Sequence, residues 1–385
     1  MRKLFIFLVF LLTVTAAISC LHRPPEKVRV NLNRSETGIA TIPDSKIDAL
    51  ASFIAGMQYN KNLCFSRLDS AIGWRTYSTE YDSLFAYASR LRINSMKSWA
   101  DDELIRDTTV TTLFYPFSGP DFLTADIFYP SVRQYILVGL EPIGELPDLC
   151  NMKPDSAKEY MNSVSAALND LLIRSYFITS KMNSDLRKTR INGVISMLSV
   201  FIERMGHHIV SMRNIGIDST GNYRIIDSLQ NRNLPIQGVR MDFTTGASGR
   251  LQSVTYFRAD LSNKGLKNNP GFRKYITRLP LSCTFLKSAA FLMYSHNFKL
   301  IRDLIFDRSS TILQDDSGIA FRDFNRSRWK IRLYGKFSKP KNELSFYRES
   351  SLVEAFRHSE ARPLPFSLGY NWGTDHTCMI YAIKR

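Results

Sequence analysis

The stretch from Thr111 to Gly144 restricts the possible folds more than any other part of the chain. Thr111-Thr112-Leu113-Phe114-Tyr115 is β-branched and aromatic, the composition of a strand. Pro116-Phe117-Ser118-Gly119-Pro120-Asp121 is a breaker-rich turn. Phe122 to Phe128 reads as a short helix, ended at Tyr129-Pro130 because proline cannot continue one. Gln134 to Leu140 is a second strand, with Glu141-Pro142 at its carboxyl end. Strand, turn, helix, strand is a βαβ unit. It predicts two adjacent parallel strands joined by a right-handed crossover.

This layout resembles the opening of a Rossmann-like methyltransferase, in which a strand runs into a glycine-bearing loop and an acidic residue ends the next strand. The resemblance spans about 35 residues. It implies that Gly119 is the loop glycine and that Glu141, 22 residues later, holds ribose hydroxyls. The physical logic is that glycine lets a backbone approach a ligand closely, while a helix N-terminus offers free N–H groups. Ser118, Gly119, Asp121 and Glu141 are therefore candidate ligand-binding residues. In open α/β sheets such sites lie at the carboxyl ends of the strands. Tyr-Pro-Phe-Ser-Gly-Pro-Asp, Gly-Leu-Glu-Pro and Leu-Gln-Asp-Asp-Ser-Gly also look like segments of a secreted bacterial family with no assigned activity. That likeness covers most of residues 111–385 and implies none.

Elsewhere helical and strand patterns alternate. Ile47, Leu50, Ala51, Ile54 and Ala55 share a helical face, as do Leu84, Tyr87, Ala88 and Leu91. Helices are expected over Asp155 to Ile178 and Ile195 to Met205, and Phe285 to Phe306 reads as helix-rich. Strands are expected at His208 to Ile217, Val239 to Phe243, Val254 to Phe257, Trp329 to Tyr334 and Cys378 to Ile383. The fold class is α/β: a Rossmann-like, mostly parallel sheet with an N-terminal helical region and added strands. The expected divisions are 1–19 as a leader, 20–46 as a tether, 47–110 as the helical region and 111–385 as the α/β domain.

The leader sets the expected address. Met1-Arg2-Lys3 is basic, Leu4 to Ala17 is almost wholly apolar, and Ala17-Ile18-Ser19-Cys20 ends it. The last step resembles a bacterial lipobox, which implies cleavage before Cys20 and lipidation of its thiol. Two or three acyl chains, at about 0.8 kcal/mol per buried methylene, make a stable anchor. Leu21 rather than an aspartate follows, which in that family points to the outer membrane, facing the periplasm. The chain carries 51 Lys and Arg against 35 Asp and Glu, a formal charge of +16. On an envelope protein that charge suits anionic lipids or glycans. Export and the lack of any nucleic-acid motif argue against nucleic acid. The densest basic run is Arg322, Arg326, Arg328, Lys330, Arg332, Lys336, Lys339 and Lys341.

Other constellations carry less. Asp315-Asp316-Ser317-Gly318, expected after a helix, could offer neighbouring carboxylates to a ligand or form an ordinary polar turn. Ser118 and Asp121 suit caps of the short helix. Ser118 lacks the glycines of a nucleophile elbow, since Pro116 and Pro120 occupy both positions. His207-His208 is placed at a helix end. Adjacent residues do not share a face, so this is not the paired histidine of a helical zinc site, and no metal is expected. His296 and His376 are isolated. Of Cys64, Cys150, Cys283 and Cys378, the last two sit among apolar residues and read as buried thiols. No cofactor or catalytic residue is identified. Two classes remain: a lipid-anchored binding or structural protein of the envelope, or an enzyme, transferase or hydrolase, built on the Ser118–Asp121 loop and Glu141.

Overall fold

The computed structural model describes residues 43–174, 191–226, 233–246, 249–337, 349–371 and 377–385. Cys20, the leader, most of the tether, Lys339, Lys341 and His376 lie outside the described residues.

Ten strands form one mixed sheet: β1 (Thr112–Pro116), β2 (Gln134–Gly139), β3 (His207–Ile217), β4 (Tyr223–Ile225), β5 (Ile236–Thr245), β6 (Arg250–Arg258), β7 (Ser282–Leu286), β8 (Ser309–Gln314), β9 (Trp329–Gly335) and β10 (Cys378–Lys384). Their spatial order is β4-β3-β5-β6-β2-β1-β7-β8-β10-β9. The βαβ reading holds: β1 and β2 pair in parallel, Thr112 opposite Gln134, with Phe122–Phe128 helical between them. The fold is mixed α/β. Parallel pairing, however, is confined to the five central strands β6-β2-β1-β7-β8. The other five pairings are antiparallel, so the sheet is not mostly parallel. The cause is local on one flank. The link from Thr245 to Arg250 is too short for a crossover and can only turn the chain back.

Eleven helices are named here. Facing one side of the sheet are α1 (Ser45–Ile54), α2 (Leu68–Ile72), α3 (Trp74–Ala88), α4 (Asn94–Glu103), α5 (Phe122–Phe128), α6 (Pro154–Asn169) and α7 (Ile195–Arg204). On the other side are α8 (Asn263–Asn268), α9 (Pro270–Arg278) and α10 (Lys299–Arg308). The last, α11 (Ser350–His358), covers a small cluster with Leu333 and Ile380. Strand alternation sorts the residues: Leu113, Tyr115, Tyr135 and Leu137 enter the first core, while Phe114, Ile136 and Val138 enter the second. Coverage of both faces is why Tyr135-Ile136-Leu137-Val138 is apolar throughout. Helices before residue 110 share one hydrophobic cluster with the sheet.

The expected helix-rich stretch from Phe285 is corrected. Ser282–Leu286 is the strand β7, two single-turn 3-10 helices follow at Leu292–Tyr294 and His296–Phe298, and α10 is the only α-helix of the stretch. A disulfide joins Cys64, just before α2, to Cys150, in the loop after β2. Cys283 and Cys378 are free and buried, as their apolar neighbours suggested.

Candidate functional site at the carboxyl edge of the parallel strands

Because the five central strands are parallel, the loops that follow them meet along one edge. After β1 come Ser118, Gly119 and Asp121; after β2, Glu141; after β6, Asp260; after β7, Lys287 and Ser288; after β8, Asp315 and Asp316. All six sequence-predicted ligand residues within the described chain thus lie on this edge. Asp315 follows a strand, β8, rather than a helix.

Gly119 and Glu141 face each other across adjacent strand ends. Gly119 has φ +54°, and a Cβ there would stand 3.6 Å from Glu141 Oε2. Gly139, the last residue of β2, has less room: a Cβ would meet Glu141 Oε2 at 2.3 Å and the Tyr256 hydroxyl at 2.8 Å. A side chain is therefore unfavourable at both positions, at Gly119 through its backbone conformation and at Gly139 through crowding of Glu141 and Tyr256. Glu141 is buried. Its Oε2 accepts from Leu140 N at 3.1 Å and from Tyr256 Oη at 3.2 Å. That burial beside a carboxylate pushes the Tyr256 phenol well above its ordinary range.

Asp121 is committed elsewhere. Its Oδ1 accepts from Thr124 N at 3.1 Å, capping α5 as expected. Its Oδ2 accepts from Tyr115 Oη at 2.9 Å and from Lys287 Nζ. Ser118 makes no cap; its Oγ donates to Gly119 O at 2.9 Å. The Asp121–Lys287 ion pair is almost wholly buried and spans β1 and β7. Burial pulls the Lys287 ammonium below its usual value, against the Asp121 carboxylate.

Beside this pair, Asp315 Oδ2 accepts from Ser288 N at 2.8 Å, and its Oδ1 from Ser317 N at 3.0 Å. The polar-turn reading of Asp315 is therefore right for its hydrogen bonds. Asp316 is different: burial, reinforced by the Asp315 carboxylate, raises it to about 8. Burial raises Asp315 too.

The backbone adds an observation that no residue type announced. Among the described residues, four non-glycines have positive φ: Phe117 (61°), Ser288 (52°), Ala290 (52°) and Phe291 (56°). All four lie in the loops after β1 and β7, which are adjacent strands. Each such conformation costs about 1–2 kcal/mol in an L-residue. Sequence reasoning missed Lys287 and Ser288 because it missed β7; recognising a buried strand at Ser282–Leu286 would have placed both at a strand end. The basic run is partly gathered elsewhere. Arg326, Lys330 and Arg332 line a cleft of about 480 Å³ together with Arg362 and Arg385. Comparison with family models, curated proteins and solved structures returned no match.

Proposed function

We propose that the body is a Rossmann-like module binding a ribose-bearing, nucleoside-type ligand between the β1 and β7 loops, and that Cys20 anchors it by lipid to the bacterial envelope. Read in chain order, the parallel strands run third, second, first, fourth, fifth across the sheet. This is the doubly wound order whose ligands sit where the winding reverses, here between β1 and β7. Beyond the fifth strand the sheet continues with the antiparallel β10. The observation that carries the reading is the confinement of all four described strained non-glycines to the two loops flanking that reversal. Strain of this kind persists where a particular backbone shape is needed. Glu141 is the acceptor for ribose hydroxyls, and Gly119 and Gly139 keep side chains away from it.

The test is thermal shift of the full chain with adenosine, S-adenosylmethionine, S-adenosylhomocysteine and NAD. At least one should raise the unfolding temperature, and Glu141→Gln, which keeps the size and removes the charge, should abolish the rise while remaining folded. A Glu141→Gln protein that responds like the wild type removes this site. The anchor has its own test: Cys20→Ser should leave the protein uncleaved or soluble, and a variant that still sediments with membranes after high-salt washing overturns the lipobox.

A second reading concerns partners. The cleft with Arg326, Lys330, Arg332, Arg362 and Arg385 includes one carboxylate, Glu360, and supports docking to anionic envelope lipids or glycans. Each basic side chain near such a surface contributes about 1 kcal/mol. Binding to anionic vesicles that does not weaken with salt would contradict it.

A further inference from the structure

Three metal-ligating side chains converge at the opposite edge of the sheet, where the parallel strands begin. Asp48 lies on α1, Glu203 near the end of α7 and His208 at the start of β3. One ligand atom from each lies within 4.8 Å of the other two. Two of the three carboxyl and imidazole groups are already oriented. Ile209 N donates to Asp48 Oδ1 at 2.7 Å, and Ser52 Oγ donates to Glu203 Oε2 at 2.7 Å. His208 Nδ1 stands 3.4 Å from Asp48 Oδ2.

Glu203 is the second, independent sign. It is 1% exposed, and its Oε1 is buried with no hydrogen-bond partner. Arg204, next in sequence, does not supply the missing positive charge; it binds Asp82 and the carbonyls of Ala55 and Gly56. A buried carboxylate with a bare oxygen, close to a second carboxylate, is several kcal/mol unfavourable unless a cation or proton sits between them; burial and the Asp48 carboxylate push Glu203 up to about 9, so in the metal-free protein a proton takes that place and a bound cation would displace it. His208 is half exposed, so the cluster opens to solvent on one side.

We propose that Asp48, Glu203 and His208 bind one divalent transition-metal ion, with water filling its remaining positions. An imidazole beside two carboxylates suits zinc, manganese or iron better than calcium or magnesium, which take oxygen ligands alone. The ligands come from the first described helix, from α7 and from β3, so the ion ties α1 to the flank of the sheet. The backbone bond from Asp44 N to Ile209 O runs along the same seam. The role is structural and separate from the carboxyl-edge site.

The full chain, purified in detergent without an affinity tag and stripped with a chelator, is titrated with zinc chloride. One equivalent should bind, and the unfolding temperature should rise. His208→Ala, at a half-exposed position, should leave the metal-free unfolding temperature unchanged and weaken zinc binding at least tenfold. Glu203→Gln should weaken it similarly, and its metal-free form should be no less stable than the wild type. A wild-type chain that takes up no stoichiometric zinc overturns the site. So does zinc binding that both variants retain at wild-type affinity, and calcium binding as tight as zinc overturns the transition-metal assignment.

Discussion

The buried Asp121–Lys287 pair allows the electrostatics of the carboxyl edge to be tested by a double-mutant cycle. Both side chains are nearly excluded from water, at 2% and 3% exposure. At contact distance and an effective dielectric of about 20, their attraction is about 5 kcal/mol. Desolvation costs several kcal/mol per ion, so the intact pair is close to neutral for stability. Breaking it is not neutral. Lys287→Met leaves Asp121 with Thr124 N and Tyr115 Oη still donating, so the expected loss is about 3 kcal/mol. Asp121→Asn leaves the Lys287 ammonium with neutral acceptors only, Thr124 Oγ at 3.2 Å among them, and the more distant field of Asp315, so about 4–5 kcal/mol is expected. The double variant Asp121→Asn/Lys287→Met removes both charges and should cost within about 2 kcal/mol of wild type. The coupling should therefore be about 5 kcal/mol or more, a large value for two residues in contact. Equilibrium denaturation in urea at neutral pH measures all four proteins. Single costs below about 1 kcal/mol that simply add would show the pair is not the buried, desolvated contact described here.

Asp316, raised to about 8 by burial and then by Asp315, holds a proton that the unfolded chain releases near pH 4. Stability should therefore fall as pH rises through the interval from about 4 to 8, and Asp316→Asn should flatten that slope in denaturation midpoints taken across the range. Opening the Cys64–Cys150 bridge, which closes a loop of 86 residues, should cost about 4–5 kcal/mol in the chain-entropy account. Equal midpoints with and without reductant would refute it. Ala290→Gly removes the positive-φ penalty of about 1–2 kcal/mol and adds glycine's backbone entropy, for a net stabilisation of up to about 1 kcal/mol in the same unfolding assay. If the strained loop shapes the site, that variant should bind nucleoside more weakly despite its stability.

The sequence made β1, α5 and β2 legible because three independent signals agreed there: β-branched and aromatic strands, a Pro-Gly breaker and a proline stop. β7 was hidden because Ser282–Leu286 is a short apolar run, which periodicity cannot distinguish from helix, and Phe291 to Tyr294 extends the apolar pattern past it. Losing β7 cost the site Lys287 and Ser288, and missing β8, Ser309–Gln314, left the Asp315 turn attached to a helix. The antiparallel flanks were half legible: strands were expected at β5 and β6, but nothing in their composition sets the direction of β5 against the parallel strands. Glu203 was invisible as a site residue because Asp48 lies far from Glu203 and His208 in the chain, and only the meeting of α1, α7 and β3 gathers the three.

The two edges of the sheet differ in what they ask of the chain. Four positive-φ non-glycines at about 1–2 kcal/mol each amount to roughly 4–8 kcal/mol, a sizeable part of the 5–15 kcal/mol that keeps a typical domain folded. Aromatic contacts hold these loops rather than let them relax: Phe117 packs edge-on against Phe298, and Phe291 stacks on Tyr370. The same edge buries an ion pair whose replacement by apolar groups would cost little, and a carboxyl raised to about 8. Selection for stability alone would remove each of these through ordinary substitutions. Their coincidence at the point where the winding reverses is what sets this edge apart from a mere set of turns. On the proposed function, the same strain is what a ligand beside Gly119, Gly139 and Glu141 would have to repay.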